Sequence, residues 1–442
     1  MVSVLMPVRN AMPHLPACVL SIVAQRNARL ELIAVDDGST DGSREFMNEL
    51  AACLGAGDGA TDDRGDEQEW WNDLVANHGG GGGDSPRTAA RYVPPTPSEV
   101  AAAVQPGCTL VVGAVDADVR HGPSGQGLAL NTALALARGD LIGEMEADDL
   151  RPPWTFRTLV AALDAHPEWH AVTSRLAIFG WERPGMQRYV DWQNSLVSPG
   201  DIERGRFVEI PAQRASGVYR RSAVFDRALV RYRDIWEVDG ALVDCAVPAD
   251  HVETVLPPPA GWWPVDSDFW MRFHECGLAA GKLDEALYLW RQYPAQSTRT
   301  HSRTHVDRLG DCKAYYLARL AAGAPITLVG RGKTLRRYSE DLKRHGATVA
   351  AAIDWVPGAE LPPELGSGGS GGGSGALSQK RARGADADAA APAPKRPRGG
   401  APSHVPAKPP LRVFVYGAAK ARSRVVECRA VSFNAEVDWF AA

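Results

Sequence analysis

The stretch ELIAVDDGSTDGS, residues 31–43, decides the fold, because a short apolar run ends there in two adjacent carboxylates and a turn. Ahead of it, VSVLMPV at residues 2–8 is another apolar run, and HLPACVLSIVAQ at residues 14–25 has the spacing of a helix. The capping residues of the turn predict a further helix to about residue 53. Strand, helix, strand and helix in this rhythm are typical of a doubly wound α/β sheet.

The rhythm is interrupted and then resumes. Residues 55–107 are rich in Gly, Asp, Pro and Ala and hold little that could form a core, so we predict a disordered insertion there. A strand at 109–115, a helix at 127–137 and a strand at 140–146 are predicted next. A less regular half, rich in Trp, then extends to about residue 320.

A second unit begins near residue 325. PITLVGRGKTLRRYSEDLKRHGATVAAAIDW predicts a strand, a glycine turn, a helix and a strand, and LRVFVYGA at 411–418 restarts a strand. We therefore predict two domains, 1–320 and 323–442, of which the second is a small Rossmann-like α/β domain. A Gly-, Ser- and Ala-rich flexible linker at about 365–408 interrupts it.

The glycine turn of this second unit resembles a dinucleotide-binding sequence only in part. GRGKTL follows the pattern GxGxxG but has Leu335 at the third glycine, and Asp354 follows at the distance expected for a ribose contact. Cofactor binding and a structural or partner-docking role both stay open for this domain.

Composition excludes several classes of protein. The 442 residues are 45% hydrophobic and carry a net charge of −5, which gives no general attraction to nucleic acid or to anionic membranes. We see no apolar run long enough to span a membrane and no secretory signal at the N-terminus. Seven scattered cysteines without a CxxC pair suggest reduced thiols in a cytoplasmic protein. The basic clusters within residues 380–398 are either a solvated linker or a two-part nuclear import signal.

Polar residues follow the predicted strands at the end where α/β proteins bind ligands. Asp36 and Asp37 would accept hydrogen bonds from a base or a ribose. Glu146 and Asp148 would face a pyrophosphate through a divalent cation, since carboxylates alone repel phosphate. Taken singly, the first pair could be only a turn and helix cap, and the later acids only a helix N-terminus.

Four segments carry a resemblance to a known family. They are VSVLMPVRNA, ELIAVDDGSTDGS, ALNTALALARGDLIGEMEADDLRPP and VDSDFWMRFHECG, and in this order they resemble the family 2 glycosyltransferases, which have the GT-A fold of nucleotide-diphospho-sugar transferases. The resemblance covers residues 1 to about 300 apart from the insertion. More narrowly, RYVDWQNSL, LYLWRQYPAQST and VDWFAA are similar in placement to the β-1,3-N-acetylglucosaminyltransferase-like group.

The resemblance implies a mixed Rossmann-like sheet with helices on both faces, a UDP-sugar donor, Mn²⁺ or Mg²⁺, and inversion by direct displacement onto an acceptor hydroxyl. Asp148, the second acid of the DxD motif, would be the metal ligand. The donor-binding residues that it implies are Pro7, Val8, Asp36, Asp37, Glu146, Asp149 and Arg291.

The catalytic base implied by the resemblance is Asp266, which would remove the proton of the acceptor hydroxyl. Trp262, Trp263 and Trp270 flank it and would either stack on sugar rings or belong to the core. Arg291 would neutralise the diphosphate or close over the donor, unless it forms only a surface ion pair.

The sequence also departs from the family pattern. Glu146 stands where aspartate is usual, Arg9 replaces a common Tyr or His, and GLALN lacks the arginine usual before its asparagine. Val265 replaces the acidic neighbour of Asp266. A rival hypothesis therefore stays open, namely a weak or inactive nucleotide-sugar-binding scaffold that acts on a protein partner through its C-terminal domain.

Overall fold

The computed structural model describes part of the chain. The described residues are 1–55, 66–78, 93–115, 125–181, 184–238, 241–244, 263–300, 306–330, 332–354 and 411–415. Several predicted features lie outside them, namely Trp262, the linker at 365–408, the basic clusters within 380–398 and the tail VDWFAA.

The described residues form the following secondary structure. The strands are β1 (Val2–Val8), β2 (Leu30–Asp36), β3 (Cys108–Ala114), β4 (Leu141–Glu144), β5 (Ala171–Gly180), β6 (Val218–Arg220), β7 (Ile235–Val238), β8 (Ala241–Asp244), β9 (Ala280–Gln292), β10 (Ile326–Gly330), β11 (Val349–Asp354) and β12 (Leu411–Val415). The helices are α1 (Leu15–Val23), α2 (Ser43–Gly55), α3 (Glu67–His78), α4 (Pro97–Ala101), α5 (Gln126–Leu136), α6 (Thr155–Ala165), α7 (Pro184–Ser195), α8 (Pro199–Gly205), α9 (Val265–Glu275), α10 (Ser297–Thr300), α11 (Val306–Ala321) and α12 (Gly332–Arg344).

A seven-stranded sheet in the order β3-β2-β1-β4-β6-β5-β9 is the centre of the fold. Strand β6 runs antiparallel to both of its neighbours, and the remaining pairs are parallel. The central strands are buried along their length, as expected when helices cover both faces of a parallel sheet. The predicted mixed α/β sheet is confirmed.

Two apolar layers enclose this sheet. One face packs against residues of α1, α2 and α6, such as Ile22, Leu50 and Leu159. The other packs against α5 and α9, including Leu130 and Phe269. Because the helices lie on the faces, the carboxyl ends of the strands are left to the loops, and these loops form the candidate site.

The predicted disordered insertion at 55–107 is wrong for two of its parts. Residues Glu67–His78 form α3, whose Trp71 and Leu74 pack against Leu150. Residues Pro97–Ala101 form α4, which a complete capping box at Thr96 begins. Low overall hydrophobicity concealed both helices, because a few large apolar side chains on one face were enough to dock α3.

The C-terminal unit has the predicted strand, helix and strand. Strands β11, β10 and β12 form a parallel three-stranded sheet in that order, with α12 connecting β10 to β11. Helix α11 packs between this unit and α9, since Leu317 belongs to the same apolar cluster as Met271 and Leu328. The domain boundary near residue 320 stays a prediction.

A buried ionic cluster also connects α11 to α9. The Asp268 carboxylate, 2% exposed, accepts from the Tyr316 hydroxyl at 2.6 Å and from Arg233 and Arg272. Burial alone would raise the pKa of Asp268, but the two guanidinium groups outweigh it and hold the pKa well below its usual value. Asp268 is therefore ionised in the folded protein and needs each of its donors.

Replacing Tyr316 with Phe should lower the free energy of unfolding by about 1–3 kcal/mol, because a buried carboxylate loses a hydrogen-bond donor. Urea denaturation followed by circular dichroism measures the change. Tyr315→Phe, on the same helix, is the matched control, since its hydroxyl makes only a long 3.5 Å contact with exposed Arg319. Equal stabilities of the Tyr316→Phe variant and wild type would contradict the importance of this contact.

Two further features of the described residues are their helix lengths and their cysteines. Among the helices of the described residues, none combines the length and apolar character that a membrane span needs. The five cysteines in the described ranges are free thiols, while Cys245 and Cys428 lie outside those ranges.

Candidate active site

The ends of β1, β2 and β4 lie side by side at one edge of the sheet. The register pairs Val8 with Asp36 and Leu5 with Glu144. Past the strand end, the Asp37 amide donates to the Val8 carbonyl at 2.8 Å. Pro7 and Val8 therefore lie next to Asp36 and Asp37, which is the arrangement that the predicted base pocket requires.

Asp36 is held within its own turn. Its carboxylate accepts from the amides of Gly38 at 3.1 Å and Ser39 at 3.2 Å and from Arg44 Nε at 2.7 Å. Burial would raise the pKa of Asp36, but the hydrogen bonds from Ser39 and Arg44 hold it below its usual value. With these donors in place, Asp36 shapes the turn, and Asp37 is the better candidate for contact with a nucleoside.

Asp37 has a cation beside it. Arg9 Nη1 donates to the Asp37 carbonyl at 3.1 Å and lies 3.5 Å from its Oδ2. The Arg9 side chain is 49% exposed, whereas that of Asp37 is 5% exposed. Arg9, one of the departures from the family pattern, thus brings a positive charge to this end of the site.

The acidic loop, residues 145–150, follows β4. This strand ends at Glu144, two residues earlier than predicted, so Glu146, Asp148 and Asp149 lie on a loop rather than on the strand. A bridge between Leu150 and Leu289 ties the loop to β9 by backbone bonds of 2.9 and 3.1 Å. The acids are therefore held by two strands at once.

Asp149 lies behind this loop, and its predicted contact with the donor is not what the structure shows. Its side chain is fully buried, with Oδ2 bound by the Tyr288 hydroxyl and Oδ1 by the Arg291 amide at 2.7 Å. Because both oxygens are occupied in the interior, Asp149 holds the loop against β9.

Asp148 is partly exposed, and Arg291 in β9 and Tyr293 just after it hold it in place. The Tyr293 hydroxyl donates to Asp148 Oδ2 at 2.8 Å, and Arg291 Nε donates to the Asp148 carbonyl at 2.7 Å. Arg291 is fully buried with its guanidinium 4.6 Å from the centre of the Phe179 ring, so the surface ion pair is excluded. These contacts of Arg291 position the acidic loop, and its approach to a diphosphate stays a prediction.

Glu146 faces α5. Both of its oxygens lie within 2.7 Å of Gln126 Nε2, at the first residue of that helix. Its side chain is 26% exposed. The surrounding protein nevertheless raises the pKa of Glu146 to about 8, through burial first and nearby Asp266 and Asp148 in addition.

Asp266 lies in the first turn of α9 and meets a buried arginine that the sequence analysis did not identify. Arg214 Nε donates to Asp266 Oδ1 at 3.0 Å, Nη1 lies 3.1 Å from Glu144 Oε2, and Nη2 lies 3.9 Å from Glu146 Oε1. The Arg214 side chain is 0% exposed, and that of Asp266 is 23% exposed. One guanidinium therefore brings the predicted base close to the acidic loop.

The site has more negative than positive charge. Five carboxylates lie near three guanidinium groups, so two negative charges are in excess when all eight groups are ionised. The carboxylates are those of Glu144, Glu146, Asp148, Asp149 and Asp266, and the guanidinium groups are those of Arg151, Arg214 and Arg291. Burial of these carboxylates raises the pKa of Glu144 to about 7 and that of Asp148 above its usual value. A divalent cation would balance this excess.

The oxygen ligands suit Mg²⁺ or Mn²⁺. In the part of the chain that the structure describes, no three His, Cys, Asp or Glu side chains converge as a complete metal site. Glu146 and Asp148 are the two partly exposed acids of the loop. A cation here would therefore take one or two carboxylates from the protein and its other ligands from phosphate and water, which is common for Mg²⁺.

Two further positions at which the sequence departs from the family pattern have buried side chains. Leu130, where the family arginine would stand, is 1% exposed in the core, and Val265 is 3% exposed. Trp263 and Trp270 are 7% and 0% exposed, which confirms the core alternative for both. Neither tryptophan offers a face to a sugar.

Residues missed at the sequence level come from distant parts of the chain. Arg214 lies in a 3₁₀ turn, Gln126 begins α5, and Tyr293 follows β9. Gln126 stands in the quoted GQGLALN segment and could have been noted as a donor at a helix start. No local pattern distinguishes Arg214 from its arginine neighbours, because its role depends on three partners far along the chain.

Comparison with known protein families gives a match over part of the chain. Residues 3–67 and 116–225 match the family model described as Glycosyl transferase family 2. These residues include Asp37 and the acidic loop, whereas Asp266 and Arg291 lie beyond the match. A comparison with curated proteins found no match.

Among solved structures, TarS of S. aureus in complex with UDP is similar at 14% identity, with 73% of this chain and 72% of that chain covered and a TM-score of 0.37. The mannosyltransferase PcManGT from Pyrobaculum calidifontis, in complex with GDP-Man and Mn²⁺, has 18% identity, coverage of 73% and 63%, and a TM-score of 0.35. Glucosyl-3-phosphoglycerate synthase of M. tuberculosis has 15% identity, coverage of 73% and 80%, and a TM-score of 0.34. These similarities are too low to bear on the activity of this chain. Residues 3–67 and 116–225 are therefore similar in sequence to glycosyl transferase family 2, and this part of the chain includes β4 and the acidic loop that follows it.

Proposed function

We propose that the chain is an inverting glycosyltransferase that moves N-acetylglucosamine from a UDP-sugar to an acceptor hydroxyl. The observation that carries the proposal is the convergence at Arg214, which lies 3.0 Å from Asp266 and 3.9 Å from Glu146. On this proposal, one guanidinium holds the base Asp266 and the metal-side acid Glu146 near each other, and Arg214 and Glu146 lie within the residues that match the family model. The choice of sugar rests on the resemblance of RYVDWQNSL and LYLWRQYPAQST to the N-acetylglucosaminyltransferase-like group.

In the proposed reaction, Asp266 takes the proton of the acceptor hydroxyl while its oxygen forms a bond to C1 of the sugar. The bond from C1 to the phosphate oxygen breaks, and UDP leaves with the electron pair. Attack from the side opposite to UDP inverts the configuration at C1. Asp266 suits this role because it is partly exposed and its Oδ1 is anchored by Arg214.

The donor would lie along the strand ends. Pro7, Val8 and Asp37 would surround the uridine, with Asp36 holding the turn beside them. Glu146 and Asp148, as the DxD pair, would hold Mn²⁺ or Mg²⁺. When bound, the metal supplies positive charge to the leaving diphosphate.

The rival hypothesis is a nucleotide-sugar-binding scaffold without strong activity. The burial of Leu130 and Val265 favours it, because the site lacks the charged groups that the family usually has at these places. Such a scaffold would act through the C-terminal unit, which α11 joins to the α9 helix that carries Asp266.

Titration calorimetry tests the donor site. UDP-N-acetylglucosamine and UDP should bind the full chain more tightly with Mn²⁺ than without it, and Asp148→Ala should remove the metal-dependent part of the affinity. The reason is that Asp148 is a partly exposed acid of the loop and would bridge to the phosphates through the metal. Asp164→Ala is the control, since Asp164 is an exposed acid on α6.

Two results would count against this assignment. Equal metal dependence in wild type and Asp148→Ala would move the metal away from the acidic loop. No binding of either ligand under any metal condition would favour a scaffold or a donor with another base.

A further inference from the structure

Arg214 is buried in the turn Arg214–Ser216 that precedes β6. Its side chain is 0% exposed and lies over the rings of Tyr232 at 4.9 Å and Phe269 at 5.9 Å. A buried guanidinium of this kind costs free energy unless carboxylates compensate for it. If Arg214 only filled space, an apolar side chain of similar volume would stabilise the fold at least as well.

The carboxylate partners of Arg214 differ in exposure. Glu144 is buried at 1% and supplies a counter-charge from β4, with its other oxygen bound by the Tyr232 hydroxyl at 2.7 Å. Asp266 is 23% exposed, so Arg214 connects the interior to a side chain that solvent and ligands can reach. The guanidinium itself lies too deep to contact a substrate.

The Asp266 carboxylate is bound at one oxygen. Oδ1 accepts from Arg214 Nε at 3.0 Å, while Oδ2 has no hydrogen-bond partner among the residues that the structure describes. Val265, its neighbour, packs into the core and gives it no polar support. The orientation of Asp266 therefore depends on Arg214 more than on its own helix.

We propose that Arg214 is a positioning residue for sugar transfer, which anchors Oδ1 of Asp266 and so presents Oδ2 to the acceptor hydroxyl. The proposal rests on the proposed function, in which Asp266 is the base. Arg214 binds Asp266 directly at 3.0 Å and approaches Glu146 only to 3.9 Å, so its loss should affect turnover more than donor binding at Asp37 and Asp148. In a base with one anchored oxygen, fewer orientations compete with the productive one.

The test is a double-mutant cycle on the full chain with Arg214→Met, Asp266→Asn and the double variant. The assay measures release of UDP from UDP-N-acetylglucosamine in the presence of Mn²⁺, with water as the acceptor, and calorimetry measures donor affinity. Arg214→Met should lower kcat by about 10- to 100-fold, the usual loss when a partner of an active-site group is removed, with a much smaller change in donor affinity. The double variant should be little slower than Asp266→Asn alone, because Arg214 binds Asp266 directly at 3.0 Å and approaches Glu146 only to 3.9 Å.

If Arg214→Met fails to fold, Arg214→Lys replaces it in the double-mutant cycle. Its ammonium can pair with one carboxylate but lacks the planar fork, so it should restore part of kcat. Arg220→Met is the matched control, since Arg220 donates to the main-chain carbonyls of Trp169 and Leu163, and its kcat should equal that of wild type.

The outcomes distinguish a failure of the positioning role of Arg214 from a failure of the proposed function. An active wild type in which the losses from Arg214 and Asp266 multiply would overturn the positioning role and leave the proposed function standing. The same would follow if Arg220→Met lost as much kcat as Arg214→Met. A wild type that binds donor but releases no UDP would overturn the proposed function and, with it, this role of Arg214.

Discussion

Asp266→Asn should lower kcat for sugar transfer by about 10²- to 10⁴-fold, the contribution expected of a general base. Asparagine has almost the same shape, and its carbonyl oxygen can still accept the hydrogen bond from Arg214 Nε that Asp266 Oδ1 accepts at 3.0 Å. What the variant lacks is the ability to accept a proton. The fold and the donor site should therefore persist while the chemical step slows.

Release of UDP and calorimetric donor binding, measured on the same preparations, check this expectation. Asp191→Asn is the control, since Asp191 is an exposed aspartate on α7. An Asp266→Asn variant that turns over at the wild-type rate would show that another group removes the proton. A loss of donor affinity with unchanged kcat would place Asp266 in binding and not in proton transfer.

Trp270→Ala should lower the free energy of unfolding by about 3–5 kcal/mol, the usual cost of removing a large aromatic side chain from a core. Trp270 is fully buried and packs against Phe269 and Phe273 on the same helix and Tyr219 on β6. Its indole N–H also donates to the Ala212 carbonyl at 2.8 Å. The alanine variant would therefore leave both a cavity and a carbonyl without its donor.

The midpoint of urea denaturation, followed by circular dichroism, measures this loss. Trp181→Ala is the matched control, because Trp181 is 37% exposed and has Arg299 over its ring at 4.8 Å. Losing that contact should cost about 1 kcal/mol or less. If both variants denatured at the same urea concentration as wild type, α9 would not depend on Trp270 for its packing.

The central strands and the order of the polar loops follow from local sequence. VSVLMPV forms β1 over the predicted residues, and the strand predicted at 31–37 is shifted by one residue, to Leu30–Asp36. Buried parallel strands are continuous apolar runs, so their ends can be located by where polar residues begin. Because those ends lie at one sheet edge, the placement of Asp37 and the acidic loop at the same edge could also be foreseen.

The different exposures and contacts of the acids in the loop could not be predicted from the sequence in the same way. Asp148 and Asp149 are neighbours in sequence, yet one is partly exposed and the other is fully buried against Tyr288. The difference arises from β9, which lies some 140 residues further along the chain. Arg214 was missed for the same reason, since its partners Glu144 and Asp266 come from β4 and α9.

Helix α3 is a different kind of failure, because a local signal was present. EQEWWNDLVANH places Trp71 and Leu74 three residues apart, the spacing of one helix face. The surrounding glycine-rich sequence lowered the average hydrophobicity, and the average concealed the face. A few well-spaced large side chains deserve more weight than composition when a helix needs only to dock on an existing core.

The docking of α3 has a practical consequence for anyone who shortens this chain. Besides covering Leu150, at the end of the acidic loop, α3 is clamped to α6 by two hydrogen bonds of 2.6 and 2.7 Å between Arg157 and Glu67. A truncated gene that removes residues 55–107 as a single block would uncover apolar surface directly behind the loop acids. Deletions confined to residues 56–65 and 79–92 would leave α3 and its contact with Leu150 in place. A shortened protein should therefore keep α3, although the composition of residues 55–107 suggests that the whole stretch is dispensable.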